Sequence, residues 1–216
     1  MKNRNELLKT YIPIVIFGFL CLSVGLNNVD GLRLTLLFSI LYLFIENIMN
    51  KGKLEDIGFI SKNILSDIKK HWWLILLPVV VGIVSINFFK FLLPEAYSYA
   101  SDTMPMLSFG KLLLQVPQLL ILAFAEEIAF RGFFQTKLYD ITKPIWAIII
   151  TSLFFAIGNF SAIPITSLIY VSFFIFIDNI IYGVIYQRTK NIYSCTISHF
   201  LANVIEAFIL YIYLFN

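Results

Sequence analysis

Charge is scarce in this chain. Asp, Glu, Lys and Arg make up 13% of its 216 residues, about half the share found in soluble domains. Cysteine is nearly absent. Cys21 and Cys195 lie far apart in apolar runs with no CxxC, and are read as buried thiols that pack as small hydrophobes. Strand-like alternation is missing too, because the apolar runs are continuous, which argues against a β-barrel. No internal repeat, low-complexity tract or second-domain boundary stands out. The net charge of +3 is no nucleic-acid signal, since the basic residues are scattered into loops.

What the chain does have is apolar length. Hydrophobic residues make up 59% of it, with 22 Phe and 11 Tyr. Seven runs, approximately residues 11–28, 32–49, 72–94, 110–136, 144–159, 163–187 and 192–214, approach the roughly 20 residues that cross a bilayer. The expected fold class is all-α, a polytopic helical bundle of about seven transmembrane helices. The opening "MKNRNELLKTYIPIVIFGFLCLSVG" has a signal peptide's basic start and apolar run. It shows no small-residue cleavage site and further spans follow, so it reads as a first helix.

Loop charge sets the expected topology. Lys2, Arg4 and Lys9 share a side with Lys51, Lys53, Lys62, Lys69, Lys70, Lys137, Lys143, Arg188 and Lys190. Asp30, Glu95 and Asp102 mark the other side, with Arg33 and Lys90 as exceptions. The positive-inside rule then puts the N-terminus in the cytoplasm and the C-terminus outside. Residues 52–70 carry Ile57, Ile60, Ile64, Leu65 and Ile68 at near-helical spacing, which predicts a short helix on the inner interface. Residues 94–110 read as an irregular external loop. Glu46 and Arg33 are expected to snorkel to the interfaces, and His71, before two tryptophans, to anchor there.

The stretch "LLILAFAEEIAFRGFFQ", residues 119–135, breaks the apolar pattern with Glu126, Glu127 and Arg131. One charge at the centre of a membrane helix costs about 2.5–3.5 kcal/mol on insertion scales. Such charges persist when they face a protein interior or a wet cavity. Glu127 and Arg131 are i,i+4 and can pair. Glu126 points about 100° away around the helix, without a partner in its own span. A carboxylate so placed suits general acid or base work near neutral pH. In the last span His199, Asn203 and Glu206 form one stripe at i, i+4 and i+7. At about 1.5 Å per residue, Glu126 and His199 both lie about 10–15 Å in from the cytoplasmic ends, so a shared site would open towards the cytoplasm. Alternatives stay open: Glu127–Arg131 as an interhelical clamp, Asn203 as a hydrogen bond between helices. Asp178, beside Asn179 in the sixth span, needs a partner; His199 and Arg131 are candidates, and so is one elsewhere in the bundle.

These residues resemble a known family. "EEIAFR" (Glu126 to Arg131) matches E-E-x-x-x-R, and "HFLAN" (His199 to Asn203) matches H-x-x-x-N. "FAIGN", from Phe155, stands where the family has F-x-x-x-H. With the lead-in "YGVIYQRTKNIYSCTISH", the order and spacing resemble the CPBP intramembrane proteases: the CAAX-protease and bacteriocin-processing, or Abi, family. The resemblance covers about residues 108–214, the expected catalytic core. Residues 1–107, the first helices and the interfacial loop, belong to the same bundle but match only as membrane helices.

By that resemblance Glu126 is the base that activates a water, Glu127–Arg131 the structural pair, and His199 with Asn203 the oxyanion donors. Asn159 replaces the second-motif histidine. An amide can hold a water but cannot exchange a proton at neutral pH. Zinc is a candidate cofactor, with Glu126 and His199 as candidate ligands, though an amide is a poor ligand beside imidazole. The expected function is intramembrane endoproteolysis of a peptide or membrane-protein substrate, in bacteriocin or peptide processing or in self-immunity. The expected setting is a bacterial plasma membrane; prenylated substrates belong to the family's eukaryotic branch. The alternative is an inactive relative acting as a membrane immunity or regulatory binding protein. A small transporter is disfavoured, because the first and third spans offer almost no facing polar residues.

Overall fold

A computed structural model describes residues 4–27, 30–95, 97–98, 109–159 and 165–215, all of whose regular structure is helical. Seven long helices follow in order. They are α1 (Arg4–Asn27), α2 (Asp30–Met49), α3 (Ile64–Leu92), α4, α5 (Pro144–Gly158), α6 (Ile165–Thr189) and α7 (Ile192–Phe215). Helix α4 is α-helical over Phe109–Glu127, widens into a π-helix over Ile128–Gln135, and ends in the α-turn Thr136–Tyr139. Number and order match the expected runs.

Three stretches are long and apolar enough to cross a membrane by length and composition: Ser61–Leu92, Ser167–Thr189 and Ile192–Tyr213. Lys9–Ser23, Leu34–Met49 and Pro144–Gly158 are apolar but shorter. The chain is thus a helical membrane protein with three candidate spans among the described residues. The expected loop 94–110 lies largely outside those residues, and Arg33 lies among side chains that are not described.

The core is aromatic. Phe17 of α1 stacks on Phe134 at 4.1 Å and meets Phe130 edge-on at 5.2 Å. All eight residues of the π segment are buried. Its widened turn shifts carbonyl partners, and the Thr136 hydroxyl donates to the Arg131 carbonyl at 2.9 Å. Such π segments collect at functional sites. This one begins inside the E-E-x-x-x-R motif. Cys21 and Cys195 are free and buried, as the packing reading expects.

Residues 52–70 differ in detail from the expected interfacial helix. They form two 3₁₀ turns, Leu54–Ile57 and Ser61–Asn63, and then the first turns of α3. Gly58, with φ of +94°, lets the backbone turn sharply, and its carbonyl accepts from Ile192 N–H at 2.8 Å. Asn191 Nδ2 donates to the Ile60 carbonyl and to Asp67 at 3.0 and 2.8 Å. The connection is therefore tied to the start of α7. His71 sits at a kink in α3 and is buried, so it is no exposed anchor; Trp72 and Trp73 beside it are exposed. Glu46 does not reach out alone either, because Lys137 Nζ pairs with it at 2.6 Å.

Candidate functional site

Helices α4 to α7 enclose a cavity of about 210 Å³. Glu126 lines it from α4, Asn159 from the end of α5, Asp178 and Asn179 from α6, and His199, Asn203 and Glu206 from α7. The expected stripe on α7 therefore faces one space, as helical spacing requires. Leu122, Phe155, Ile175 and Tyr182 supply the apolar wall.

Behind the cavity lies a closed polar network. Arg131 and Glu127 have fully buried side chains and meet through two contacts of 3.2 Å. Arg131 also donates to Asn179 of α6, to Oδ1 at 2.6 Å and to the carbonyl at 3.2 Å. Glu127 Oε1 lies 2.8 Å from His199 Nδ1. An ionised carboxylate only accepts, so Nδ1 carries the proton, and Nε2 is left pointing towards Glu126. The Tyr182 ring lies nearly parallel to the imidazole, with centroids 4.7 Å apart. The ring is held on one edge and one face.

Glu126 differs from its neighbour. It is 95% buried, and its Oε2 lies 3.6 Å from His199 Nε2, beyond hydrogen-bond length. No hydrogen bond closes on it among the described residues. A buried carboxylate beside a ring nitrogen, facing a cavity roomy enough for water, can take a proton from a nucleophile placed between them. Asn159 donates from Nδ2 to the Phe155 carbonyl at 2.9 Å, closing the end of α5. Asn203 offers an amide to the same cavity.

Asp178 lines the cavity, but neither His199 nor Arg131 pairs with it among the described residues. His199 is engaged by the two glutamates, and Arg131 by Glu127 and Asn179. Its Oδ1 is buried without a hydrogen bond. The candidate zinc site does not fit. No three His, Cys, Asp or Glu side chains among the described residues converge to hold a metal. Glu126 and His199 give two donors and Asn159 only an amide, short of the three protein ligands of a catalytic zinc.

Sequence reasoning passed over Tyr182 and gave Asn179 no role. A signal existed: Ile175, Asp178, Asn179 and Tyr182 recur at 3.6-residue spacing along α6. Phe155 also meets the His199 ring edge-on, at 6.1 Å.

Residues 108–205 match the family model of the type II CAAX prenyl endopeptidase, Rce1-like proteins. No curated protein matches the chain. No solved structure matches it either. The matched segment holds both glutamates, the arginine and the His199–Asn203 motif. Over residues 108–205, a little under half of its length, the chain is thus similar to the Rce1-like proteins of the CPBP family.

Proposed function

We propose that the chain is an intramembrane endopeptidase that cleaves a peptide or membrane-protein substrate by water attack, without a covalent intermediate. The observation that carries this reading is Glu126, buried, without a hydrogen bond among the described residues and 3.6 Å from His199 at the edge of a polar cavity. Glu126 takes a proton from water as the water oxygen bonds to the scissile carbonyl carbon. The carbonyl oxygen gains the electron pair and is met by the Asn203 amide and by His199 when its ring is doubly protonated. The tetrahedral centre then collapses, the C–N bond breaks, and the proton held by Glu126 passes to the leaving amine. Glu127, held by Arg131, which Asn179 holds in turn, orients His199 through its Nδ1. Asn159 orients the water without trading protons.

The loop charges support a cytoplasmic N-terminus; in this reading the cavity opens to that side of a bacterial plasma membrane. Processing of a bacteriocin or other peptide, or self-immunity, fits this setting. The description of the matching family names a prenyl endopeptidase.

One observation favours a second reading, an inactive relative that binds a membrane partner. The residue at 159 is an amide whose Nδ2 is spent on its own helix. New protein N-termini in membranes of cells carrying wild type, Glu126→Ala or Asn159→His separate the two. Termini made by wild type and lost with Glu126→Ala support the protease. Termini made only by Asn159→His support the inactive relative.

A further inference from the structure

The cavity has a second polar end. Asp178 of α6 and Glu206 of α7 both line it. Among the described residues neither carboxylate has a hydrogen bond or an ion pair, and Asp178 Oδ1 is sealed from solvent. The Arg131 cation is committed to Glu127 and Asn179, and His199 lies between the other two glutamates. Helix α3 makes room for this end. A Cβ at Gly82 would overlap the Glu206 carboxylate, so a larger residue there would push that side chain aside. Glu126, 95% buried and 3.6 Å from His199, with no hydrogen bond among the described residues, faces the same space. Three carboxylates thus border one cavity. Acids at membrane depth pair with something or mark a substrate path, and the described residues supply no hydrogen bond or ion pair for Asp178 or Glu206.

We propose that the end formed by Asp178 and Glu206 is a subsite for an organic cation, the head of an arginine or lysine side chain in the bound substrate. An inorganic ion fits poorly, since no three ligating side chains among the described residues converge. A guanidinium or ammonium group needs no such shell, because it carries its own donors. Its aliphatic stem would lie along Leu122 and Ile175, which line the same cavity. The inference rests on this cavity being the substrate site, as in the protease reading.

The test is equilibrium binding to the whole protein in zwitterionic nanodiscs, with decylguanidinium compared against uncharged decylurea. Wild type is expected to bind the cation at least about tenfold more tightly, a difference the desolvated carboxylates supply. The double variant Asp178→Asn, Glu206→Gln should bind both probes within about twofold, in line with the lost charge. Gly82→Ala, which shifts the Glu206 carboxylate but removes neither acid, should lower the preference in part. Equal binding of the two probes by wild type overturns the proposal, and needs no variant to be read. So does an unchanged preference in the double variant, which would mean that these acids are satisfied by protonation alone. Binding is read without cleavage. A protein that prefers the cation but cuts nothing fails the protease reading only, and one that cuts without preference fails the subsite only.

Discussion

Helices α1 to α3 and helices α4 to α7 are made of the same apolar residues, yet they satisfy their polar groups differently. In the first group the buried polar side chains include hydroxyls that close on their own helix. Ser39 donates to the Thr35 carbonyl at 2.6 Å and Ser85 to the Gly82 carbonyl at 2.9 Å. In the second group the buried groups include a guanidinium, carboxylates and an imidazole, and their partners lie on other helices. Arg131 reaches from α4 to Asn179 on α6, and Glu127 from α4 to His199 on α7. A hydroxyl needs one local acceptor, whereas a buried ion needs several partners at fixed positions. Bonds of the first kind tie nothing across helices. The second locks three helices into one register and holds a ring at a fixed angle, which is what a reactive site requires.

Four substitutions break or sharpen that contrast. The largest loss should come from Arg131→Leu, which strands the buried Glu127 carboxylate and should cost about 3–5 kcal/mol in unfolding by SDS titration. Replacing Glu127 by Leu as well should recover much of it; stability unchanged by the single substitution would show that the network is not holding the helices. Glu126→Gln should leave stability nearly intact, because no hydrogen bond is lost. It should lower cleavage by about 10²–10⁴-fold, measured on whatever substrate the N-terminal comparison identifies, and retained cleavage would remove Glu126 from the role of base.

Asn179→Leu takes one acceptor from Arg131 while leaving Glu127 in place. It should cost about 1.5–3 kcal/mol in the same titration, the range for hydrogen bonds to charged groups. A loss no larger than that of a surface substitution would place α6 outside the network. Ser39→Ala should cost less than about 1 kcal/mol, since its bond to the i−4 carbonyl is local. A loss as large as that of Arg131→Leu would erase the contrast between the two groups of helices.

The helices themselves were legible in the sequence. Long apolar runs leave no other way to satisfy the backbone inside a bilayer. The motifs at Glu126 to Arg131 and His199 to Asn203 are short contiguous strings, legible because each lies within one helix. Helical spacing put His199, Asn203 and Glu206 on one face, and they do line one cavity. Other features escaped. The π segment at Ile128–Gln135 leaves no mark in apolar periodicity. His71 reads as an anchor beside two tryptophans, but the kink at its own position turns it inward.

Sequence alone determined the residue types, their order and the faces they occupy, because these follow from local geometry. Tertiary structure decided the pairings. It gave Arg131 a partner 48 residues away, set His199 between two glutamates, and left Asp178 Oδ1 with none among the described residues. The physical reason is the surroundings. Lipid and protein interior are about equally apolar, so the hydrophobic pattern of a membrane helix does not say which face meets a neighbour. Close packing and hydrogen-bond geometry choose that face, and they act only once the helices are in contact.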